Sequence, residues 1–186
     1  MGQILLKLDD VILRTIEEQD IDDLYQFIYG ETNPEWKKWD APYYPLERES
    51  REDFRETINK ATSKEVPSWV IMEVNGQMIG TLSYYIEDPQ SMWIETGIVM
   101  YQTADWNKGC GTKAMKCWIT YLFQALPIVR IGLTTWSGNV RMMSVGTKLG
   151  MQVEGRMRKC RIVDGIYYDS IRMGMLREEW EAHHSS

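Results

Sequence analysis

One short segment, residues 106–115, constrains the fold of this chain more than any other. It reads Trp-Asn-Lys-Gly-Cys-Gly-Thr-Lys-Ala-Met and joins an apolar stretch, Ile94 to Tyr101, to an amphipathic pattern that predicts a helix over 109–126. Glycines let the backbone approach a ligand closely, and the free N–H groups at a helix start attract anions. The segment therefore predicts a phosphate-binding turn between a strand and a helix, with a diphosphate-bearing cofactor as its ligand.

The rest of the chain alternates between strand and helix patterns without an internal repeat. Helices are predicted at 21–29, 48–61 and 140–149, and an irregular loop with a short helical turn at 31–44. Strands are predicted at 5–8, 11–16, 68–74, 78–86, 93–101, 128–136, 151–159 and 166–176, with a hairpin at Asn75-Gly76. This order predicts an α/β (α+β) fold, a central mixed sheet with helices against it.

Length and composition favour one globular domain. The 186 residues suit a single domain over 1–180, and we interpret 181–186 as a C-terminal tail, native or artificially added. A net charge of -6 argues against a nucleic-acid partner, and no apolar run long enough for a membrane span occurs. Three cysteines, Cys110, Cys117 and Cys160, cannot all pair, which favours a reducing, cytoplasmic location.

Histidines occur only at positions 183 and 184. Their absence elsewhere excludes a histidine-activated Ser or Cys nucleophile and a histidine-rich metal site, so we expect no metal. Acid–base chemistry must then depend on carboxylates, hydroxyls, amines or water.

The two-glycine turn also fits the dinucleotide pattern GxGxxG/A, but its surroundings do not. A Rossmann turn leaves its strand at once and needs an acidic residue about 20 positions later. Here residues 102–108 intervene and the next strand holds Arg130. The Gly-Lys-Ser/Thr ending of a P-loop is absent. A purely structural connection remains an alternative at this point.

Six pieces of the sequence together resemble one family, the GNAT superfamily of acetyl-CoA-dependent N-acetyltransferases, and within it the ribosomal-protein alanine acetyltransferases. These pieces are Val11 to Arg14, Glu95 to Ile98, Trp106 to Thr112, Asn139 with Lys148 to Met151, Glu154 to Arg158, and Asp164 to Asp169. The resemblance implies a mostly antiparallel sheet that splays between the strands that the family counts as its fourth and fifth, here 93–101 and 128–136. It also makes a homodimer a possibility.

The resemblance further implies a site for acetyl-CoA. Backbone N–H groups of the turn would hold the pyrophosphate, the strand edge would hold pantetheine, and Lys108 or Lys113 would neutralise phosphate charge. The cofactor-binding residues implied are Val99, Met100, Tyr101, Trp106, Asn107, Lys108, Gly109, Cys110, Gly111, Thr112 and Asn139. An alternative for Asn139 is a simple helix cap before Val140.

For the chemistry, we expect direct attack of an amine on the thioester in a ternary complex. Glu95 is the candidate base and the backbone N–H near Met100 the oxyanion donor. The alternative for Glu95 is a solvated or salt-bridged strand carboxylate. The resemblance departs at Gly146, where many relatives have a general-acid tyrosine, and at Met142, where the ribosomal subgroup often has serine. A catalytically silent acyl-CoA-binding regulator is therefore a second hypothesis.

The acceptor is expected to be a small primary amine, such as a polyamine or aminoglycoside, or a protein N-terminus. An aromatic wall would bind it through cation–π contacts, with Asp40 pairing with its charge. The candidate acceptor residues are Trp36, Trp39, Asp40, Tyr84 and Trp136. Ordinary core packing is the alternative for these aromatic residues.

Overall fold

An eight-stranded sheet runs through residues 3–184, the part of the chain that the computed structural model describes. Its strands are β1 (Ile4–Leu8), β2 (Val11–Thr15), β3 (Trp69–Val74), β4 (Gln77–Asp88), β5 (Trp93–Met100), β6 (Arg130–Trp136), β7 (Gln152–Val163) and β8 (Ile166–Leu176). The helices are α1 (Ile21–Tyr29), α2 (Arg51–Thr62), α3 (Cys110–Ala125), α4 (Val140–Lys148) and α5 (Arg177–His184). The predicted mixed sheet with flanking helices is confirmed.

Neighbouring strands follow the order β1-β2-β3-β4-β5-β6-β8-β7, and only β5 and β6 run parallel. The predicted hairpin at Asn75-Gly76 joins β3 to β4, with φ of 51° and 76° at its two turn residues. These left-handed values are typical of the tight turns that join antiparallel strands.

Two apolar layers enclose the sheet. On one face, α3 buries Met115 and Trp118 against the strands. On the other, α1 and α2 bury Leu24 and Phe54 around Ile71. Because side chains alternate along a strand, each residue of β4 and β5 is assigned to one of these faces.

The parallel pair β5 and β6 separates soon after it forms. Only Ile94 with Ile131 and Glu95 with Gly132 are paired, and beyond them the strands diverge. The splay expected between residues 93–101 and 128–136 is therefore present, and it opens an unpaired strand edge in the middle of the sheet.

Several boundaries differ from the predictions. Helix α2 begins at Arg51, because the Ser50 hydroxyl caps it by accepting from the Asp53 N–H. Strand β7 continues past 159 to Val163. A bulge at Lys159, which has a φ of 55°, interrupts the alternation of side chains, but pairing with β8 resumes beyond it. Helix α5 was not predicted; it crosses the expected boundary at 180, and its Trp180 packs on Phe123.

Among residues 3–184, none of the helices has the length and apolar composition that crossing a bilayer requires.

Candidate active site

A cavity of about 830 Å³ follows the splay from one face of the sheet to the other. The start of α3, the first two turns of α4 and the loop before α2 complete its walls. Nine of the predicted cofactor residues line it: Val99, Met100, Tyr101, Trp106, Asn107, Gly109, Gly111, Thr112 and Asn139. A volume of this size is typical of sites for small organic ligands.

At one end of the cavity lies the predicted phosphate turn. Asn107 and Gly109 both have left-handed backbones, with φ of 62° and 84°, and α3 begins directly after them at Cys110. The Lys113 N–H makes the first helical hydrogen bond, to the Gly109 carbonyl at 3.1 Å. The N–H groups of residues 110–112 have no acceptor within their own helix, which makes this turn suitable for an anion.

The free edge of β5 presents the backbone of Met100 to the splay. The Tyr101 N–H donates to the Ile79 carbonyl on β4 at 3.0 Å, so by strand alternation the groups of Met100 point the opposite way. The Met100 carbonyl there accepts from the Trp106 indole at 3.1 Å. Of the three edge positions predicted at 99–101, Met100 is therefore the one whose N–H faces the opening.

Two predicted cofactor residues lie outside the cavity wall. Lys108 pairs with Asp105 at 3.4 Å, and Cys110 is buried in the core under α3. The suggested Lys113 pairs with Asp9 and Asp10 at 3.1 and 2.9 Å.

The cation that does line the cavity at this end is Arg141, on the first turn of α4. Sequence reasoning missed it. The available signal was a basic residue two positions after Asn139, where a helix start was already predicted.

Glu95 is fully buried next to the splay and does not line the cavity itself. Its Oε2 accepts from the Thr134 hydroxyl at 2.8 Å, and its Oε1 accepts from the Trp93 indole at 3.2 Å. Burial raises the pKa of Glu95, and the hydrogen bond from Thr134 and the charge of Arg172 offset only part of this effect. Glu95 therefore takes up a proton at a higher pH than an exposed glutamate does.

Thr134 and Tyr85 connect this carboxylate to the cavity. Both line the wall. Burial and the nearby charge of Glu95 raise the pKa of Tyr85, and a hydrogen bond with Thr134 offsets part of this effect. Thr134 was not predicted. Tyr85 pairs with Glu95 across β4 and β5, and pairing of this kind is visible only once the register is known.

At the other end, four of the five predicted acceptor residues line the cavity: Trp36, Trp39, Asp40 and Trp136. Asp40 is accessible from the cavity, yet the surrounding protein raises its pKa through burial, against the lowering effect of Lys37. A carboxylate in such a place favours a cationic ligand.

The structure places Tyr84 elsewhere. It lies on the α3 face of the sheet, where its ring packs against Trp118 at 6.2 Å and its hydroxyl donates to the Val66 carbonyl. Tyr84 was predicted to form part of the acceptor wall, but neighbouring residues in a strand point to opposite faces. Only Tyr85 reaches the cavity.

Asn139 connects the two ends of the cavity. Its Oδ1 caps α4 by accepting from the Met142 N–H at 3.0 Å. Its Nδ2 donates to the Trp39 carbonyl at 2.9 Å, and the same carbonyl accepts from the Trp136 indole at 3.0 Å. Asn139 therefore caps α4 and also fixes the acceptor loop, and its contact with the cofactor stays a prediction.

Gly146, where the resemblance implies a general-acid tyrosine, is buried and closely packed. A Cβ built there lies 3.0 Å from the Met173 side chain and 3.5 Å from Leu133. A side chain at position 146 would therefore require Met173 to shift.

The comparisons with known proteins agree on one family. The profile described as Acetyltransferase (GNAT) domain matches residues 10–152. The chain is 24% identical over 95% of both lengths to the SPbeta prophage-derived uncharacterized N-acetyltransferase YokL of Bacillus subtilis.

Two solved structures have the same fold, each with a TM-score of 0.76. One is RimL, described as a ribosomal L7/L12 alpha-N-protein acetyltransferase in complex with coenzyme A, at 17% identity over 94% of this chain and 98% of that one. The other is the spermidine N-acetyltransferase from Vibrio cholerae with CoA and spermine, at 18% identity over 93% and 99%.

Proposed function

Because the chain belongs to the GNAT acetyltransferase family, we propose that it transfers the acetyl group of acetyl-CoA to a primary amine by direct attack in a ternary complex. One observation carries the proposal. A single cavity joins the N–H groups of the turn at 107–112, the free Met100 edge and Thr134, whose hydroxyl donates to Glu95. The similar RimL and spermidine enzymes were solved with CoA, which supports the cofactor assignment.

The coenzyme would bind along this path. The N–H groups at the start of α3 would hold the pyrophosphate, and pantetheine would lie in the splay, where the edge of β5 offers it backbone hydrogen bonds. The thioester carbonyl would then accept from the Met100 N–H, which stabilises the oxyanion as the amine attacks.

Proton transfer would begin at Thr134. The ammonium acceptor gives one proton to the Thr134 oxygen while the Thr134 proton moves to Oε2 of Glu95, and after the products leave, the buried Glu95 returns this proton through the Thr134 hydroxyl to water in the cavity. The neutral amine then adds to the thioester carbonyl. As the C–S bond breaks, the second N–H proton leaves by the same hydroxyl and ends on the CoA sulfur. The products are the acetamide and free CoA, with one proton released.

This relay supplies a proton route that does not need the missing tyrosine at Gly146. A raised pKa suits Glu95 to the task, since a base is most effective when its pKa approaches the working pH.

The acceptor class follows from the other end of the cavity. Asp40 and the rings of Trp36 and Trp136 favour an ammonium group carried on an apolar or extended body. Small amines and protein N-termini both meet this description. RimL and the Vibrio cholerae enzyme, as described, act on one of each kind.

The test is an acceptor screen for CoA release over peptides, polyamines and aminoglycosides. On the best acceptor, Glu95→Gln should lower kcat by about 10²- to 10⁴-fold with acetyl-CoA affinity unchanged. Thr134→Val should do the same and Thr134→Ser should retain activity. Glu154→Gln, a carboxylate paired with Arg130 on the same face, is the matched control.

Two outcomes would contradict the proposal. Unchanged turnover in Glu95→Gln at every pH would remove Glu95 from the mechanism. Tight binding of acetyl-CoA without turnover on any acceptor would favour the catalytically silent regulator, the hypothesis that the missing general-acid tyrosine at Gly146 supports.

Asp40 has its own test. Asp40→Asn should raise KM for a cationic acceptor about tenfold, the effect of losing one charge-assisted contact of about 1.4 kcal/mol, and leave KM for acetyl-CoA unchanged. Glu35→Gln is the control, because Glu35 is an exposed carboxylate on the neighbouring turn, paired with Lys38.

The cytoplasmic location and the homodimer remain predictions. Light scattering on the purified protein, with and without acetyl-CoA, would decide the oligomeric state.

A further inference from the structure

We propose that Arg141 binds a phosphate group of acetyl-CoA, with its guanidinium held in the corner that two nearly perpendicular tryptophan rings form; the proposal rests on the function proposed above. The Arg141 guanidinium carbon lies 4.1 Å from the ring centroid of Trp39 and 4.4 Å from that of Trp106. Arg141 also lines the cavity next to the phosphate turn. A cation therefore lies next to the turn whose backbone N–H groups favour an anion.

Arg141 has no anionic partner among residues 3–184. In the part of the chain that the structure describes, no carboxylate pairs with it and no hydrogen bond from its guanidinium is found. The planes of the two rings cross at 82° and their centroids lie 6.3 Å apart, so they border the guanidinium from two directions at about a right angle and leave its other sides and its N–H donors open. An arginine edge matches two phosphate oxygens at once.

Both rings are themselves held in place. The Trp39 backbone carbonyl accepts from Trp136 and Asn139, and the Trp106 indole donates to the Met100 carbonyl. The arginine is therefore positioned before the ligand arrives, which reduces the entropy lost on binding.

The other cations near the cavity are less suitable. Lys108 and Lys113 already pair with aspartates, as described above. Lys148 lines the cavity but lies about 10 Å further along α4. In a chain with a net charge of -6, a polyanionic coenzyme needs a local positive charge, and Arg141 supplies it at the turn.

Calorimetry with acetyl-CoA tests the proposal. Arg141→Gln should weaken binding about 10- to 100-fold, as expected for a hydrogen-bonded charge pair. Arg141→Lys, which keeps the charge and loses the fork, should fall between this variant and the wild type. Lys116→Gln makes the same change in net charge on an exposed residue of α3 and should bind like the wild type.

Truncated ligands identify the phosphate. With acetylpantetheine, which has no phosphate, Arg141→Gln and the wild type should bind equally. With 3′-dephospho-CoA, a retained difference assigns the pyrophosphate and a lost difference assigns the 3′-phosphate.

Equal affinity of Arg141→Gln and the wild type for acetyl-CoA would overturn the proposal. So would an equal loss of affinity for acetyl-CoA and acetylpantetheine, since that would indicate a merely structural role. Failure of the wild type to bind acetyl-CoA would instead overturn the proposed function. If Arg141→Gln does not fold, the comparison of Arg141→Lys across the three ligands decides.

Discussion

Glu95 shows how a single residue can be costly to the fold and useful to the site. Burial raises its pKa above the ordinary value of 4.5, so the folded protein binds a proton there that the unfolded chain releases. The favourable contribution of protonated Glu95 to folding is fully present below the pKa of the unfolded chain. It is lost as the pH rises through the higher pKa of the folded protein. At neutral pH the ionised side chain therefore opposes folding.

We expect Glu95→Gln to make the unliganded protein more stable at pH 7, by an amount on the order of 1 kcal/mol, typical of a single substitution. The gain should vanish as the pH falls below 4.5, where both proteins carry a neutral side chain. Urea unfolding over this pH range measures it. Glu154→Gln should show no such gain, and a gain that persists at acid pH would refute the linkage to ionisation.

At the level of elements, two glycines at the start of α3 have different roles, one in the backbone conformation of the turn and one in leaving space for the ligand. Gly109 has a φ of 84° and open space where a Cβ would stand, whereas a Cβ on Gly111 would lie 3.3 Å from the Met100 sulfur, in the cavity. Gly109→Ala should cost roughly 1–2 kcal/mol of stability through backbone strain. Gly111→Ala should keep stability and weaken acetyl-CoA binding by blocking the close approach.

Unfolding and calorimetry on both glycine variants separate these effects. Loss of coenzyme affinity in Gly109→Ala with no loss in Gly111→Ala would reverse the assigned roles.

Helix α4 offers a second test, because Asn139 has two separable functions. Asn139→Ala should cost about 1 kcal/mol through loss of the cap. Asn139→Ser should keep the cap on the Met142 N–H while releasing the Trp39 carbonyl. Hydrogen exchange should then show faster opening at residues 36–44 in both variants, but at the start of α4 only in Asn139→Ala. Equal protection of the loop in all three proteins would show that the amide of Asn139 does not hold it.

Element positions were readable from local patterns where the chemistry is local. The Asn75-Gly76 turn and the apolar stripe of α3 predicted a hairpin and a helix that the structure contains. The bulge at Lys159 ended the predicted strand early, because a bulge interrupts the period of two that identifies a strand. Helix α5 is short and mostly polar, and its docking depends on Trp180 meeting Phe123.

At the scale of the molecule, the site also contains parts that depend on local sequence and parts that depend on long-range contacts. The phosphate turn was predictable because it is contiguous in sequence. The bond from Asn139 to the Trp39 carbonyl spans 100 residues, and the contact of Glu95 with Thr134 spans 39. Such contacts arise only when the sheet assembles, so Thr134 and Arg141 were missed and Tyr84 was assigned to the wrong face of the sheet.

Binding of the coenzyme should stabilise the whole chain, because the turn, the splay and α4 come together only in the folded state. At about 100 times its Kd, acetyl-CoA should add about 2.7 kcal/mol to the free energy of unfolding. For a chain of 186 residues this raises Tm by roughly 5–10 °C. Thermal unfolding with acetyl-CoA, acetylpantetheine and NAD should rank the ligands in that order. Stabilisation by NAD alone would assign the turn to a dinucleotide, against the seven residues that separate it from its strand.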